Sequence, residues 1–222
     1  MPELRPIGLF GGTFDPIHYG HLRLAEELRE ALRLVAVHFV PAGHPWQRSP
    51  TGAGPAQRLE MVRRAVAGNP RFVADGREVA RSGPTYSIDS VLELRAEQPD
   101  GAICLLLGAD AFLNLETWHR WDELLDLAHV GVAHRPGHEL DRASMSPALG
   151  REFAARCTTD AGDLRRAHGG TIYPWPMTPL DISASRIRSL CGTGATPRYL
   201  LPDGVLDYIE LQGLYPAEAN ET

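Results

Sequence analysis

Short apolar runs alternate along the chain with segments whose apolar residues recur every three or four positions. The first run, residues 7–10, is typical of a buried strand, and Leu24, Leu28 and Leu32 follow it at helical spacing. A second, β-branched run over residues 35–40 completes a strand–helix–strand unit. Because the two strands of such a unit are joined by a crossover, the pattern predicts an α/β protein with a parallel sheet.

The alternation continues to the end of the chain. It predicts helices over residues 22–33, 57–66, 151–156 and 203–212, a further helix with Ser87 as its N-cap, and strands over residues 71–74, 102–107, 130–133 and 171–176. Gly213 is expected to stop the last helix. The polar, aperiodic segment 139–166 is predicted to be a surface insertion. We therefore expect one domain over residues 1–222, with a Rossmann-like, doubly wound parallel sheet, helices on both faces, and a C-terminal helical part of about 183–215 packed on it.

The junction between the first strand and the first helix carries the strongest chemical signal. Gly11 and Gly12 lack Cβ atoms, so their N–H groups can approach a phosphate oxygen, and the helix that follows directs its free N–H groups to the same place. His18 and His21 lie three residues apart, which lets both rings face one pocket. A helix cap plus a solvated histidine is the alternative. The paired glycines between strand and helix favour a clamp for a triphosphate.

A second candidate anion site lies near the C-terminus. Ser183 and Ser185 begin a helical segment whose first turn carries Arg186 and Arg188. Hydroxyls, N–H groups and a cation can converge there on one anion. As a helix start alone the segment would be unremarkable, but together with the histidine pair it predicts a second phosphate clamp.

The remaining candidate residues each have a structural alternative. His44, Trp46 and Arg48 lie in the turn-rich loop 41–50, which is either a surface loop or a source of phosphate and base contacts. The turn 85–87 is either an ordinary helix cap or a main-chain site for a carboxylate.

Two further candidate sites lie after the apolar run 102–107. Gly108 and Asp110 follow the most apolar run, where the carboxylate either binds a ribose or caps the next helix. Trp118 offers an indole face on which a flat heterocycle can stack.

Composition excludes several classes of protein. The 222 residues are 43% hydrophobic, enough for a substantial core, and no run approaches the roughly 20 apolar residues that span a bilayer. The net charge of −6 argues against a nucleic-acid-binding surface. All 22 basic residues are arginine, which excludes a P-loop lysine and leaves arginine to meet phosphate. The lack of a membrane-spanning run and of a signal-peptide core predicts a soluble cytoplasmic protein. Three widely spaced cysteines fit reduced thiols and predict no zinc site.

GGTFDPIHYGHL resembles the HxGH signature of the nucleotidyltransferase superfamily in its bacterial nicotinate-nucleotide adenylyltransferase form. The related phosphopantetheine enzymes usually carry threonine in place of His18. Residues 182–188, ISASRIR, resemble the superfamily's ISSTxIR signature, with Ala184 and Ser185 at its second serine and its threonine. The likeness extends over nearly the whole chain and is weakest over residues 139–166.

The resemblance implies a role for each matching residue. For the phosphates of ATP it implies His18, His21, Gly11, Gly12, Thr13, Phe14, Ser183, Ser185 and Arg188; for ribose Gly108 and Asp110; for the adenine side Arg135; and for nicotinate Thr85, Tyr86 and Trp118. It implies transfer of AMP from ATP to nicotinate mononucleotide, which gives deamido-NAD and pyrophosphate, with Mg²⁺ carried by ATP and no metal held by the protein. A homo-oligomer is compatible with the sequence. The alternatives are another acceptor, namely nicotinamide mononucleotide, phosphopantetheine or a cytidylyltransferase substrate, or a nucleotide sensor without turnover.

Overall fold

A computed structural model describes residues 3–43 and 52–217 of the chain. Its strands are β1 (Ile7–Gly12), β2 (Val37–Pro41), β3 (Phe72–Ala74), β4 (Ile103–Gly108), β5 (His129–His134) and β6 (Ile172–Pro176). Its α-helices are α1 (Tyr19–Ala31), α2 (Pro55–Val66), α3 (Arg77–Ala80), α4 (Ser87–Glu97), α5 (Ala109–Leu113), α6 (Trp121–Leu127), α7 (Pro147–Arg156), α8 (Ala184–Gly192) and α9 (Asp203–Gln212). Short 3₁₀ helices cover Leu115–Thr117, Arg142–Ser144 and Ala161–Arg165.

The six strands form one sheet in the order β3-β2-β1-β4-β5-β6. Strand β4 pairs in parallel with β1 and with β5, and β5 pairs in parallel with β6. The order reverses between β1 and β4, as in Rossmann-type sheets. The predicted parallel α/β fold is confirmed, and Pro174 and Pro176 lie on an edge strand, where prolines are tolerated because they cannot donate to a ladder.

Several boundaries differ from those predicted. Strand β1 runs through Gly11 to Gly12, so the glycine pair ends the strand rather than forming the turn after it. Tyr86 occupies the N-cap position of α4 and Ser87 is its first helical residue, which makes the predicted Ser87 cap wrong. The short helices α3 and α5 span four and five residues, too few for the apolar periodicity that identifies a helix in a sequence.

The chain divides into two compact units. Unit 1 comprises Met1–Gly11, Leu24–His38 and Tyr86–Pro179, and unit 2 comprises Gly12–Arg23, Phe39–Thr85 and Leu180–Thr222. The expectation of a single domain stays a prediction. Within the described ranges, no helix is long and apolar enough to cross a membrane.

The core of unit 1 surrounds strands β4 and β5, which are buried over almost their whole length. Helix α7 belongs to this core, because Leu149 and Phe153 are buried and the Phe153 ring lies 6.0 Å from that of Phe112. The prediction of a surface insertion over residues 139–166 is therefore wrong for this helix. Its N-cap is Ser146, whose hydroxyl accepts the Leu149 N–H.

A buried histidine joins the start of β5 to the segment that precedes β6. His129 is fully buried, its Nδ1 accepts the N–H of Thr171 at 3.2 Å, and its Nε2 lies 2.9 Å from the Ala167 carbonyl. These partners require a neutral ring that is protonated on Nε2. Burial lowers the pKa of His129, and the nearby charges of Arg95 and His168 lower it further.

Unit 2 is built around α2 and α9. The two helices bury Met61, Val62, Leu206 and Ile209. Helix α9 ends at Gly213, whose φ of 58° is the left-handed conformation that glycine adopts without strain. This helix has the predicted bounds and the predicted stop.

Candidate active site

The histidine pair forms the centre of the candidate site in unit 2. The rings of His18 and His21 are stacked, with centroids 3.7 Å apart and planes 23° apart. The main-chain N–H of His18 donates to Nδ1 of His21 at 3.3 Å. The ring of Phe14 stands edge-on to His21 at 5.1 Å, so His21 contacts two other rings. The predicted convergence of the two imidazoles is confirmed.

The two rings differ in their electrostatic state. Because Nδ1 of His21 accepts a hydrogen bond, the proton of its neutral ring lies on Nε2, which can donate to an anion. His18 is buried, and desolvation lowers its pKa to about 4. Its Nδ1 is buried and has no hydrogen-bond partner among the residues that the structure describes. An anion that approached this ring would restore the affinity for a proton that burial removes.

Gly20 leaves the space that the His18 ring fills. A Cβ atom at Gly20 would lie 3.0 Å from Nδ1 and 3.1 Å from Cε1 of His18. Gly12 plays the same part for Phe14, because its Cβ would lie 2.9 Å from two atoms of that ring. Phe14 itself has a φ of 49°, uncommon for a residue with a side chain, and is buried. Two of the motif's glycines are thus explained by close packing of its own rings.

Arg188 of α8 contacts the same motif loop. Its Nη1 donates to the main-chain carbonyl of Asp15 at 2.7 Å and lies 3.9 Å from that residue's Oδ2. Its Nη2 donates to the hydroxyl of Ser185 at 3.3 Å. The structure therefore brings the two predicted clamps, which are distant in sequence, into contact within unit 2.

The start of α8 has the predicted character. Ser183 is the N-cap, and its hydroxyl accepts the N–H of Arg186 at 3.2 Å. Ser183 and Ser185 are both exposed, and the carbonyl of Ile182 lies 3.7 Å from the position of a Cβ on Gly20. The first turn of α8 thus lies beside the histidine motif, with its N–H groups at the helix end that attracts anions.

Arg58 is a site residue that the sequence did not reveal. It is fully buried, and its guanidinium donates to the carbonyls of Thr13 at 2.8 Å, Gly43 at 3.1 Å and Ala53 at 3.2 Å. Burial lowers its pKa, which the nearby charge of Asp15 opposes. Arg58 lies four residues before Val62 and seven before Ala65, so helical spacing places it on the apolar face of α2, where its three carbonyl acceptors satisfy the buried guanidinium.

The candidates for ribose and adenine contacts belong to unit 1. Gly108 is the N-cap of α5, and Asp110 lies exposed in the first turn, so the alternative role of Asp110 as a helix cap is not realised. Arg135 follows β5 and is also exposed, and its carbonyl lies 3.1 Å from Nδ1 of His134.

In the sequence, the candidates for nicotinate contacts lie directly before α4 and shortly before α6. Trp118 is half-buried directly after the 3₁₀ helix Leu115–Thr117. The ring of Tyr86 lies 4.5 Å from that of His119, a contact that spacing alone could not reveal. Thr85, in unit 2, is buried, and its hydroxyl has no hydrogen-bond partner among the described residues.

Three predicted loop contacts, His44, Trp46 and Arg48, lie outside the described residues. Between residues 3 and 43 and between 52 and 217, no three or more His, Cys, Asp or Glu side chains are grouped so as to hold a metal ion.

Comparison with known proteins places these features in a family. The cytidylyltransferase-like family model matches residues 9–190. The probable nicotinate-nucleotide adenylyltransferase of Dechloromonas aromatica is 48% identical over 211 residues, which cover 95% of this chain and 97% of that protein. The protein of the same name from Halorhodospira halophila is 48% identical over 212 residues and 96% of both chains.

Solved structures share the fold at lower identity. The nicotinic acid mononucleotide adenylyltransferase of Plasmodium falciparum, complexed with NaAD, superposes with a TM-score of 0.70 at 16% identity, over 95% of this chain and 97% of that one. A putative nicotinate-nucleotide adenylyltransferase from Vibrio parahaemolyticus gives a TM-score of 0.60 at 17% identity, over 99% and 98% of the two chains. From the extent of these matches, the chain belongs to the nicotinate-nucleotide adenylyltransferases of the cytidylyltransferase-like family.

Proposed function

We propose that this protein transfers the adenylyl group of ATP to nicotinate mononucleotide in NAD biosynthesis. An oxygen of the mononucleotide's 5′-phosphate forms a bond to the α-phosphorus of ATP, the bond between that phosphorus and the bridging oxygen breaks, and its electron pair leaves with pyrophosphate. The second product is deamido-NAD, nicotinate adenine dinucleotide. The observation that carries the proposal is the stacked pair His18 and His21 beside Arg188.

The attacking phosphate is already an anion at neutral pH, so the reaction needs no general base. Catalysis then depends on alignment of the two substrates and on stabilising charge at the α-phosphate and the leaving pyrophosphate. We assign His18, His21 and Arg188 to that stabilisation. Ser183, Ser185, the end of β1 at Gly11 and Gly12, and the residues Thr13 and Phe14 complete the phosphate-binding set.

The roles of the other candidates follow from their chemistry. Asp110 and Gly108 would bind a ribose, because a carboxylate accepts both hydroxyls of a diol. Arg135 would face the adenine. The half-buried indole of Trp118 offers a surface for the pyridine ring, and the N–H groups at the start of α4, near Thr85 and Tyr86, suit its carboxylate.

The proposal also covers the metal ion, the cellular location and the oligomeric state. Mg²⁺ would enter with the phosphates of ATP, as is usual for this ion, and chelation with EDTA would then stop turnover. We place the reaction in the cytoplasm, which localisation of a tagged chain would test. Light scattering would report whether the active species is a homo-oligomer.

The decisive test is a coupled assay for pyrophosphate with ATP and nicotinate mononucleotide, with deamido-NAD identified by chromatography. Nicotinamide mononucleotide and phosphopantetheine serve as competing acceptors, and preference for either would replace the proposed acceptor. ATP binding without release of pyrophosphate would indicate a sensor.

Replacement of His21 tests its assigned role. His21→Ala should lower kcat by about 10²–10³-fold, the usual cost of removing one donor to a developing negative charge. His138→Ala, at an exposed position after β5, is the matched control and should leave kcat unchanged. Near-normal turnover by His21→Ala would refute the role.

A further inference from the structure

The C-terminal segment reaches the histidine motif through one buried tyrosine. Tyr215 follows α9, and its hydroxyl donates to Oδ1 of Asp15 at 2.7 Å, across 200 positions of sequence. Both residues are buried. Burial and the hydrogen bond to Asp15 raise the pKa of Tyr215, so its hydroxyl keeps its proton and can donate at neutral pH.

The carboxylate of Asp15 is fixed by two further donors. Its Oδ2 accepts the N–H of Gly52 at 2.8 Å, and its Oδ1 accepts the N–H of Ala53 at 3.1 Å. The main-chain carbonyl of the same residue accepts a hydrogen bond from Nη1 of Arg188. A displacement of the Asp15 side chain would therefore also move the carbonyl to which the Arg188 guanidinium donates.

Packing reinforces this chain of hydrogen bonds. A Cβ atom on Gly52 would lie 2.8 Å from two ring atoms of Tyr215 and 3.5 Å from Cδ of Arg188. The tyrosine ring and the arginine stem are thus separated by little more than a glycine. Tyr215 has a φ of 58°, a conformation that residues with side chains rarely adopt, and its contacts with Asp15 and Gly52 hold it there.

We propose that Tyr215 is a positioning residue for Arg188: its hydroxyl fixes Asp15, and the main chain of Asp15 holds the guanidinium at the triphosphate of the substrate. The inference rests on the proposed function for the substrate's identity. Tyr215 does not contact the phosphates in this scheme. Its effect on the reaction passes entirely through Asp15 and Arg188.

The first test removes only the hydroxyl. Tyr215→Phe should lower kcat about 10-fold, the factor expected from losing one hydrogen bond to a charged group, and should leave KM for nicotinate mononucleotide within about two-fold. Tyr208→Phe on α9 is the matched control, because its ring lies over Arg64 and the substitution keeps that ring. Urea unfolding of both variants, performed at the assay temperature, verifies that each is folded when kcat is measured.

The second test asks whether the effect passes through Arg188. In an Arg188→Ala background, Tyr215→Phe should change kcat by less than about two-fold, because residues that act as a unit are not additive. Independent, multiplicative losses in the double variant would overturn the inference. Kinetics of Tyr215→Phe that match those of Tyr208→Phe would overturn it as well.

A binding measurement separates this inference from the proposed function. Titration calorimetry with inorganic tripolyphosphate should show several-fold weaker binding to Tyr215→Phe than to the native chain. If the native chain forms no deamido-NAD but its tripolyphosphate affinity still depends on Tyr215, the proposed function fails and the positioning role stands. If the native chain is active and the two affinities are equal, the positioning role fails alone.

Discussion

The imidazole of His18 lies stacked on that of His21, with ring centroids 3.7 Å apart. Two rings this close cannot both carry a positive charge in the free protein without strong repulsion, and burial has already lowered the pKa of His18 to about 4. In the proposed function, a bound triphosphate would supply the compensating negative charge. The stacking therefore predicts that the protonation of this pair is coupled to the ligand.

Binding of ATP should take up a fraction of one proton at pH 6.5, because a neighbouring anion raises the pKa of His18 from its lowered value. Titration calorimetry in buffers of different ionisation enthalpy measures this uptake. His18→Asn should lose this proton uptake. Subtracting the uptake measured for the variant from that of the native chain cancels the protons exchanged by ATP itself. Equal buffer dependence in the two proteins would contradict the prediction.

Gly20→Ala should displace the His18 ring, since the new Cβ would lie 3.0 Å from its Nδ1. We expect kcat to fall by about 10- to 100-fold, because small misplacements of catalytic groups have effects of this size. Stability should change little, because alanine favours helix formation by about 1 kcal/mol over glycine and offsets part of the crowding.

Gly68→Ala provides the control for this substitution. A Cβ at Gly68 meets nothing within 4 Å. The activity of Gly68→Ala should therefore equal that of the native chain. The pyrophosphate assay and a urea titration of both variants separate the two effects. Full activity in Gly20→Ala would show that His18 need not occupy its present position.

Arg58→Met should lower the free energy of unfolding by about 3–5 kcal/mol, the range typical of breaking a buried charged network. The substitution keeps an apolar stem but leaves the carbonyls of Thr13, Gly43 and Ala53 without this donor. Arg63→Met on the same helix is the control, since its side chain is 58% exposed and its ion pair with Glu60 spans 3.7 Å. Urea unfolding should place that control within about 0.5 kcal/mol of the native chain.

Stability should fall as the pH drops below about 6.5, the ordinary pKa of histidine. The folded-state pKa values of His129 and His18 are both lowered, so the unfolded chain binds protons at these residues first. Their contribution is fully present above the unfolded pKa and is lost as the pH falls towards the lowered values, for His18 down to about 4.

His129→Gln should therefore flatten the pH dependence of stability. The urea midpoint of this variant should change less between pH 7.5 and pH 5.5 than that of the native chain, although the variant is less stable at pH 7.5 because it loses a partner of Thr171 or Ala167. His138→Gln, at an exposed position, should keep the native slope. An unchanged slope in His129→Gln would show that this residue does not carry the effect.

Local patterns in the sequence determined much of this molecule. Apolar periodicity predicted the parallel α/β fold, and α9 was predicted with its bounds and its Gly213 stop, because helices and their caps depend on neighbouring residues. The spacing of His18 and His21 within one turn predicted that their rings meet. Family membership followed from the same motif.

The tertiary structure alone decided the supports of that motif. Helical spacing places Arg58 on the apolar face of α2, but only the tertiary structure supplies its acceptors, which include Thr13, 45 positions away. Tyr215 showed no chemistry in the sequence, and its partner Asp15 lies 200 positions earlier. A hydrogen bond between such residues depends on how the chain returns to its own beginning, which no local spacing encodes, and a single sequence holds no record of which distant residues pair.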